Sequence, residues 1–271
     1  MSAAALSKYL RVANIGMQNT FVYRWNFLAR ASFGIVPLVG TVFIWRAIFG
    51  SREDTVAGYD FATMVFYFLC VMLVENLVSP AEDDWQIAAE IREGQISALL
   101  IKPMNHLLYR TGLFLSARVV YAMVTLPIVG LLFWWYREYV QLPSDPVTWV
   151  LAGVSVAMAA FIQFFIAYAL AMMAFWVLEI STLVFIFYSF EYFLSGHMFP
   201  VDVMPQWLQD TIRWLPFPYE LYFPVAVFLE RVKGEALWSG LAIQAAWVLL
   251  MALLCRWLWR RGVQRYEAVG G

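Results

Sequence analysis

Charge is what this sequence has least of. Of 271 residues only 14% are Asp, Glu, Lys or Arg, against roughly a quarter in an ordinary soluble domain. Too few polar side chains remain to cover a globular surface, which excludes a soluble globular protein. Hydrophobic residues make up 63% of the chain and aromatic residues 18%. They fall in long continuous runs, without the polar–apolar alternation of an outer-membrane barrel strand. A membrane helix needs about 20 apolar residues, so six spans use about 120 and leave the rest for loops. The composition therefore specifies an all-α polytopic membrane protein.

Other absences narrow the function. The net charge is −1, and nucleic acid demands a concentrated basic surface, so it is excluded as a partner. No Gly-Lys dipeptide occurs, so the chain has no GxxxxGK[ST] loop with which to cradle phosphates and hydrolyse ATP by itself. HExxH and GxSxG are also missing. The two histidines, His106 and His197, fall on opposite sides of the membrane in a six-span reading, which argues against a shared metal. Cys70 and Cys255 both lie inside apolar runs and read as buried free thiols. The opening MSAAALSKYLRVANIGMQN does not read as a signal peptide, because Lys8, Arg11, Asn14 and Gln18 interrupt its apolar residues.

What is present reads as one membrane domain over residues 1–271. Residues 6–24 form an amphipathic pattern, with Leu6, Tyr9, Leu10, Ala13, Met17 and Phe21 on one face, suited to lying along the bilayer surface. Spans are expected at about 28–49, 61–79, 113–136, 148–173, 183–198 and 237–259. The fourth and fifth come from one apolar stretch, split by a turn near Trp176–Thr182, where Glu179 is the only charge.

Two polar segments stand out. The loop 80–110 opens with Glu82, Asp83 and Asp84, which favour a helix N-terminus. Ile87, Ile91 and Arg92 follow at helical spacing, Gly94 ends the helix and Pro103 forbids its return. Such a helix either docks into a partner's groove or is a solvated connector. Segment 200–235 is rich in proline and aromatics. Met204, Trp207, Leu208, Thr211, Ile212 and Leu215 make one face of a short helix with Pro205 in its first turn. Too apolar for water and too broken for a span, it reads as a re-entrant or interfacial hairpin, or as a loop on the bilayer.

Of the charges within spans, Glu75, Arg118 and Glu191 are the functional candidates, Glu191 being deepest and costliest unless paired, protonated or beside water. Gly153 with Ala157, and Ala167 with Ala171, place small residues four apart in the fourth span, as close helix packing requires within the bundle or across a dimer.

In order, these pieces resemble the permease subunits of type-2 ATP-binding-cassette exporters. The resemblance covers essentially the whole chain. It is carried by AAEIREGQISALLIKPMNHLLYR after the second span, and by FLSGHMFPVDVMPQWLQDTIRWLPFPYELYFPVAVFLE, which is similar to the family's SGxMFP…MPxWL…PFPY…P pattern. It implies an interfacial N-terminal helix, six spans, and short re-entrant helices between the fifth and sixth. It further implies a coupling helix docked on an ATPase subunit, with Trp85, Ile87, Ile91, Arg92, Glu93 and Gly94 at the contact. An external gate would use Gly196, Phe199, Pro200, Pro205, Trp207, Pro216 and Pro218. Two ATPases carrying ATP and Mg would serve two permeases, identical or related, and the permease itself would hold no cofactor. An ion-coupled secondary transporter, an integral-membrane enzyme and a non-transporting scaffold stay open as rivals. The first would want ionisable groups at mid-membrane on several spans.

Cations assign the sides. Lys8, Arg11, Arg24, Arg30, Arg92, Lys102, Arg110, Arg256, Arg260, Arg261 and Arg265 share one side, against Arg52, Arg137, Arg213, Arg231 and Lys233 on the other. The positive-inside rule puts both termini and loop 80–110 in the cytoplasm of a bacterial plasma membrane. A reporter fused after Gly271 is expected to be cytoplasmic. An extracytoplasmic reporter would invert the topology.

Overall fold

A computed structural model describes residues 11, 12, 14, 16–18, 35–50, 55–80 and 83–266. Most of the expected interfacial helix, and the start of the first span at 28–34, lie outside the described residues. Val12 and Gly16 of the N-terminal segment are helical and lie against Gly112, Leu113 and Ser116.

The chain runs through α1 (Ile35–Phe49), α2 (Phe61–Val78), α3 (Asp83–Arg92), α4 (Ser97–Leu100), α5 (His106–Trp135) and α6 (Pro146–Met172). A 3-10 turn, Met173–Phe175, extends α6. Then come α7 (Ser181–Leu194), α8 (Gln206–Ile212), α9 (Tyr222–Phe228) and α10 (Gly234–Arg265). Among the described residues β structure is limited to one bridge, Val56 to Tyr59. Four helices, α2, α5, α6 with its 3-10 extension, and α10, are long and apolar enough to cross a membrane, and α1 and α7 are shorter apolar helices. The protein is an all-α polytopic membrane protein.

Local chemistry sets where the helices begin. Asp60 accepts from the Thr63 N–H at 2.8 Å and Asn105 from the Leu108 N–H at 3.0 Å. Asp145 accepts from the Val147 N–H at 3.0 Å, with Pro146 at the first helical position. Each satisfies a donor that the first helical turn leaves open. The hydrogen bonds from Thr63 hold the Asp60 carboxyl below its ordinary range. The Asn105 cap starts α5 at His106, seven residues ahead of the expected span, so Arg110 belongs to that helix and not to a loop. Between Gly94 and Pro103, where no helix was expected, the chain makes one more turn, α4.

The bundle is organised on α6, which packs against α10, α3, α9 and α2. Its small residues divide by face. Ala167 and Ala171 are fully buried, whereas Gly153 and Ala157 face outward. The first pair therefore serves packing within the chain. Gln244 of α10 is fully buried and satisfied. Its carbonyl accepts from Ser155 at 2.9 Å, and its amide donates to the Ser155 carbonyl at 2.9 Å and the Tyr219 carbonyl at 2.8 Å. Cys70 in α2 and Cys255 in α10 are buried free thiols.

Helix α7 decides the shape of the opposite end. Its 14 residues rise roughly 21 Å, less than the roughly 30 Å of hydrocarbon. It ends at Leu194, four residues short of the expected span. Just beyond, the Tyr67 hydroxyl donates to the Gly196 carbonyl at 2.6 Å, and His197 Nε2 lies 3.0 Å from Glu75 Oε2. Glu75 is the fifteenth of the 18 residues of α2, so it lies roughly 21 Å along that helix from Phe61. The chain after α7 is therefore met deep in the bundle. Gly196 has φ +95°, and a Cβ there would stand 2.7 Å from the Tyr67 hydroxyl and 2.8 Å from Tyr222 Cβ. Only glycine fits that position.

Gly240 gives α10 its close approach to α9, since an added Cβ would fall 2.2 Å from the Phe223 ring. Gly240→Leu is expected to cost about 1–3 kcal/mol through overpacking, read as a lower midpoint of thermal unfolding in detergent. Adding Phe223→Ala should recover part of the loss. Purely additive losses would contradict the contact.

Candidate functional site

Three arrangements of residues merit chemistry. The first is α3, the short helix between α2 and α5. Ile87, Ala88 and Ile91 are buried in a cluster with Phe164, Tyr168 and Ala171 of α6 and Leu258 of α10. Trp85, Gln86, Arg92 and Glu93 lie on the surface. Ile87 and Ile91, expected at the ATPase contact, are packed in the chain's own core, where burial of their apolar side chains is favourable. Gly94, at φ +77°, takes the left-handed turn that ends the helix.

Polar contacts fasten α3 on three sides. Arg110 of α5 pairs with Glu90. Burial pushes the Glu90 carboxyl above its ordinary range, and the Arg110 guanidinium works against that rise. The Tyr266 hydroxyl, just past α10, contacts Ser97 Oγ at 2.8 Å and donates to the Gly94 carbonyl at 3.2 Å. Arg92 donates to the Leu178 carbonyl at 3.3 Å and lies 3.7 Å from Glu179 in the α6–α7 turn. Glu179 in turn accepts from the Ser181 N–H at 2.9 Å, which holds its carboxyl below the usual range. The contacts of α3 and the turn after it thus reach α5, α6, the α6–α7 turn and Tyr266 beyond α10.

The second arrangement is the hairpin from Ser195 to Arg231. Asp202 is its clasp. It accepts from the Tyr59 hydroxyl at 2.7 Å and the Tyr222 hydroxyl at 2.6 Å, and Arg231 Nε lies 3.5 Å away. Burial, and Asp202 beside it, push the Tyr59 hydroxyl above its ordinary range, so it remains a donor. Arg231 also donates to the carbonyls of Ala57 (2.9 Å) and Gly58 (3.1 Å) and lies 3.7 Å over the Tyr59 ring. Of the residues expected in a gate, Gly196, Pro200, Pro216 and Pro218 are buried and Phe199 is half-buried. Pro205 and Trp207 are exposed on and beside α8.

The third is a set of polar side chains deep among apolar ones. Besides the Glu75–His197 pair, the Gln163 amide donates to Glu191 at 3.4 Å, and the fully buried Glu220 interacts electrostatically with Glu191 and Gln163. Glu191 is therefore partnered, as its depth required. Arg118 is buried with its guanidinium 4.3 Å over the Tyr121 ring and 5.3 Å from that of Phe114, a cation–π arrangement. Arg118, Glu75 and His197 line a cavity of about 440 Å³ whose apolar wall includes Leu38, Phe68 and Val71. Sequence reading missed Glu220, Gln163, Asp202 and Arg231. Glu220 did carry a signal: it is the lone charge in PFPYELYFP, with no cation in local reach. Among the described residues no group of three or more His, Cys, Asp or Glu could hold a metal ion.

Long apolar helices, with a short amphipathic helix at one end and a largely buried hairpin at the other, mark a polytopic membrane protein. A family model described as ABC-2 family transporter protein matches residues 35–270, and the chain belongs to that family. No curated protein matches the chain. Membership makes it a permease subunit of an ABC transporter, a complex that works with an ATPase partner.

Asp202→Ala removes the acceptor of two tyrosine hydroxyls and the partner of Arg231. It is expected to cost about 2 kcal/mol and to speed proteolysis within 195–231. Unchanged thermal stability and cleavage would show that the clasp does not hold the hairpin.

Proposed function

We propose that this permease serves an ATP-driven exporter and that α3 is the coupling helix on which its ATPase subunit docks. The observation that carries this is the division of α3 into two faces. One is built into the bundle through Ile87, Ala88, Ile91 and Glu90; the other offers Trp85, Gln86, Arg92 and Glu93 to an outside surface. A solvated connector needs no buried face and no anchoring to four membrane helices.

In this reading two ATPases bind ATP and Mg, and two permeases, identical or related, stand side by side. Both termini and α3 face the cytoplasm of a bacterial plasma membrane. ATP-driven closure of the ATPases displaces α3. The Glu90–Arg110 pair passes that motion to α5, and the Ile87–Ile91 face passes it to α6. From α6 it reaches the hairpin through Gln163, Glu191 and Glu220. The hairpin gates a path between the permeases that opens outward, and the outward-facing Gly153 and Ala157 of α6 permit close approach of a second chain.

The buried carboxyls could instead suggest an ion-coupled carrier. Family membership weighs against that, since an ABC transporter draws on ATP.

The double variant Trp85→Ala with Glu93→Lys is expected to lower co-purification of the ATPase about tenfold or more, as loss of an interface anchor does, with the permease's thermal midpoint unchanged. Undiminished co-purification would count against docking at α3.

A further inference from the structure

Helix α10 carries four arginines near its end, Arg256, Arg260, Arg261 and Arg265, and all four are exposed. None of them makes an ion pair among the described residues. Arg265 lies in the last turn, where a cation offsets the helix macrodipole. That effect fades within one turn, so Arg256, Arg260 and Arg261 need another account. Tryptophans fix their depth. Trp238 and Trp257 are both exposed on α10 and stand 19 residues apart, roughly 28 Å along the axis. That matches the hydrocarbon thickness of about 30 Å, and tryptophan settles at its two boundaries. Arg256 then lies at one boundary. Arg260 and Arg261 lie roughly 5 and 6 Å beyond Trp257, in the layer of lipid headgroups.

The direction in which they point is equally defined. Cys255, Leu258 and Gly262 are buried and mark the side of α10 that faces the bundle. Leu249, Leu250, Leu253 and Trp257 are exposed on the other side. At 3.6 residues per turn these four fall within a sector of about 100°. Arg260 falls inside that sector, and Arg256 and Arg261 flank it by about 20° on either side. One face of α10 is therefore leucine through the hydrocarbon, tryptophan at its boundary and arginine beyond. Lipid covers the leucines, because they lie within a span and outside the bundle. The headgroup of a lipid seated there meets the arginines.

We propose that this end of α10 is a binding site for an anionic phospholipid. An acyl chain lies along Leu249, Leu250 and Leu253, and the phosphate oxygens accept from the guanidinium groups of Arg260 and Arg261. Guanidinium presents donors in a planar fork that matches a phosphate. Arg256 joins from the boundary by extending its stem along the apolar surface toward the headgroups. Net charge selects the lipid. A zwitterionic headgroup brings its own ammonium into a cluster of cations, whereas an anionic one adds only the charge that the cluster lacks.

The test uses the full chain in detergent, mixed with phosphatidylglycerol and phosphatidylcholine of identical acyl chains, with bound lipid counted by native mass spectrometry. Phosphatidylglycerol is expected to be retained in preference. Arg260→Gln should reduce that preference about fivefold, the worth of one cation near anionic lipid, and Arg260→Gln with Arg261→Gln about twenty-five-fold. Both positions are exposed, so the thermal midpoint should not move. Arg260→Lys with Arg261→Lys keeps the charge and should keep most of the preference. Arg213→Gln removes an exposed cation from the hairpin and should leave it unchanged. Equal retention of the two lipids by the wild type would overturn the site, as would undiminished preference in the double glutamine variant. An equal loss in Arg213→Gln would overturn it too, since total charge and not this face would then set the preference. So would full displacement of the lipid by an equal concentration of inorganic phosphate, because the leucine face would then contribute nothing.

Discussion

Fourteen residues of helix do not cross a bilayer, and α7 has fourteen. From that shortfall follows most of the architecture at the hairpin end. The chain must turn while still deep in the bundle, where backbone groups find no water and must be paired with protein. Tyr67 supplies a donor for Gly196, Gln244 supplies one for Tyr219, and the Tyr222 N–H finds the Ser195 carbonyl at 2.9 Å. Gly196 is where the turn is tightest, and Asp202 then binds the returning chain to the α1–α2 loop through two tyrosine hydroxyls and Arg231. A longer α7 would make each of these contacts unnecessary.

The opposite end answers a different demand. Under the coupling proposal, a helix that transmits force must be fixed to what it moves and still leave a surface for what moves it. In α3, Ile87 and Ile91 do the first by burial, and Glu90 with Arg110 does it by charge. Trp85 and Glu93 are left for the second. Gln163, Glu191 and Glu220 then lie between α6 and the hairpin, so the two ends share one chain of contacts.

How much of this could be read from the sequence depended on range. Apolar runs and the stop at Gly94 are local and were legible. The end of α7 was not, because the apolar run continues through Met198 and only a tertiary contact, His197 with Glu75, reveals that the chain has already turned. Ile87, Ile91 and Arg92 were read at helical spacing, but spacing cannot show which surface each covers: the isoleucines are buried and Arg92 is exposed. Asp202 and Arg231 are 29 residues apart in a proline-rich stretch with no period, so nothing in the spacing announced their pairing.

The central claim is that the ATPase meets the outer face of α3 while the inner face stays in the membrane bundle. A photo-crosslinking residue placed singly at positions 86, 91 and 207 of the assembled transporter tests it most directly. The account predicts a crosslink to the ATPase from 86, on the exposed face of α3, and none from 91, which faces α6, or from 207 on the hairpin. A crosslink from 207 with none from 86 would contradict it.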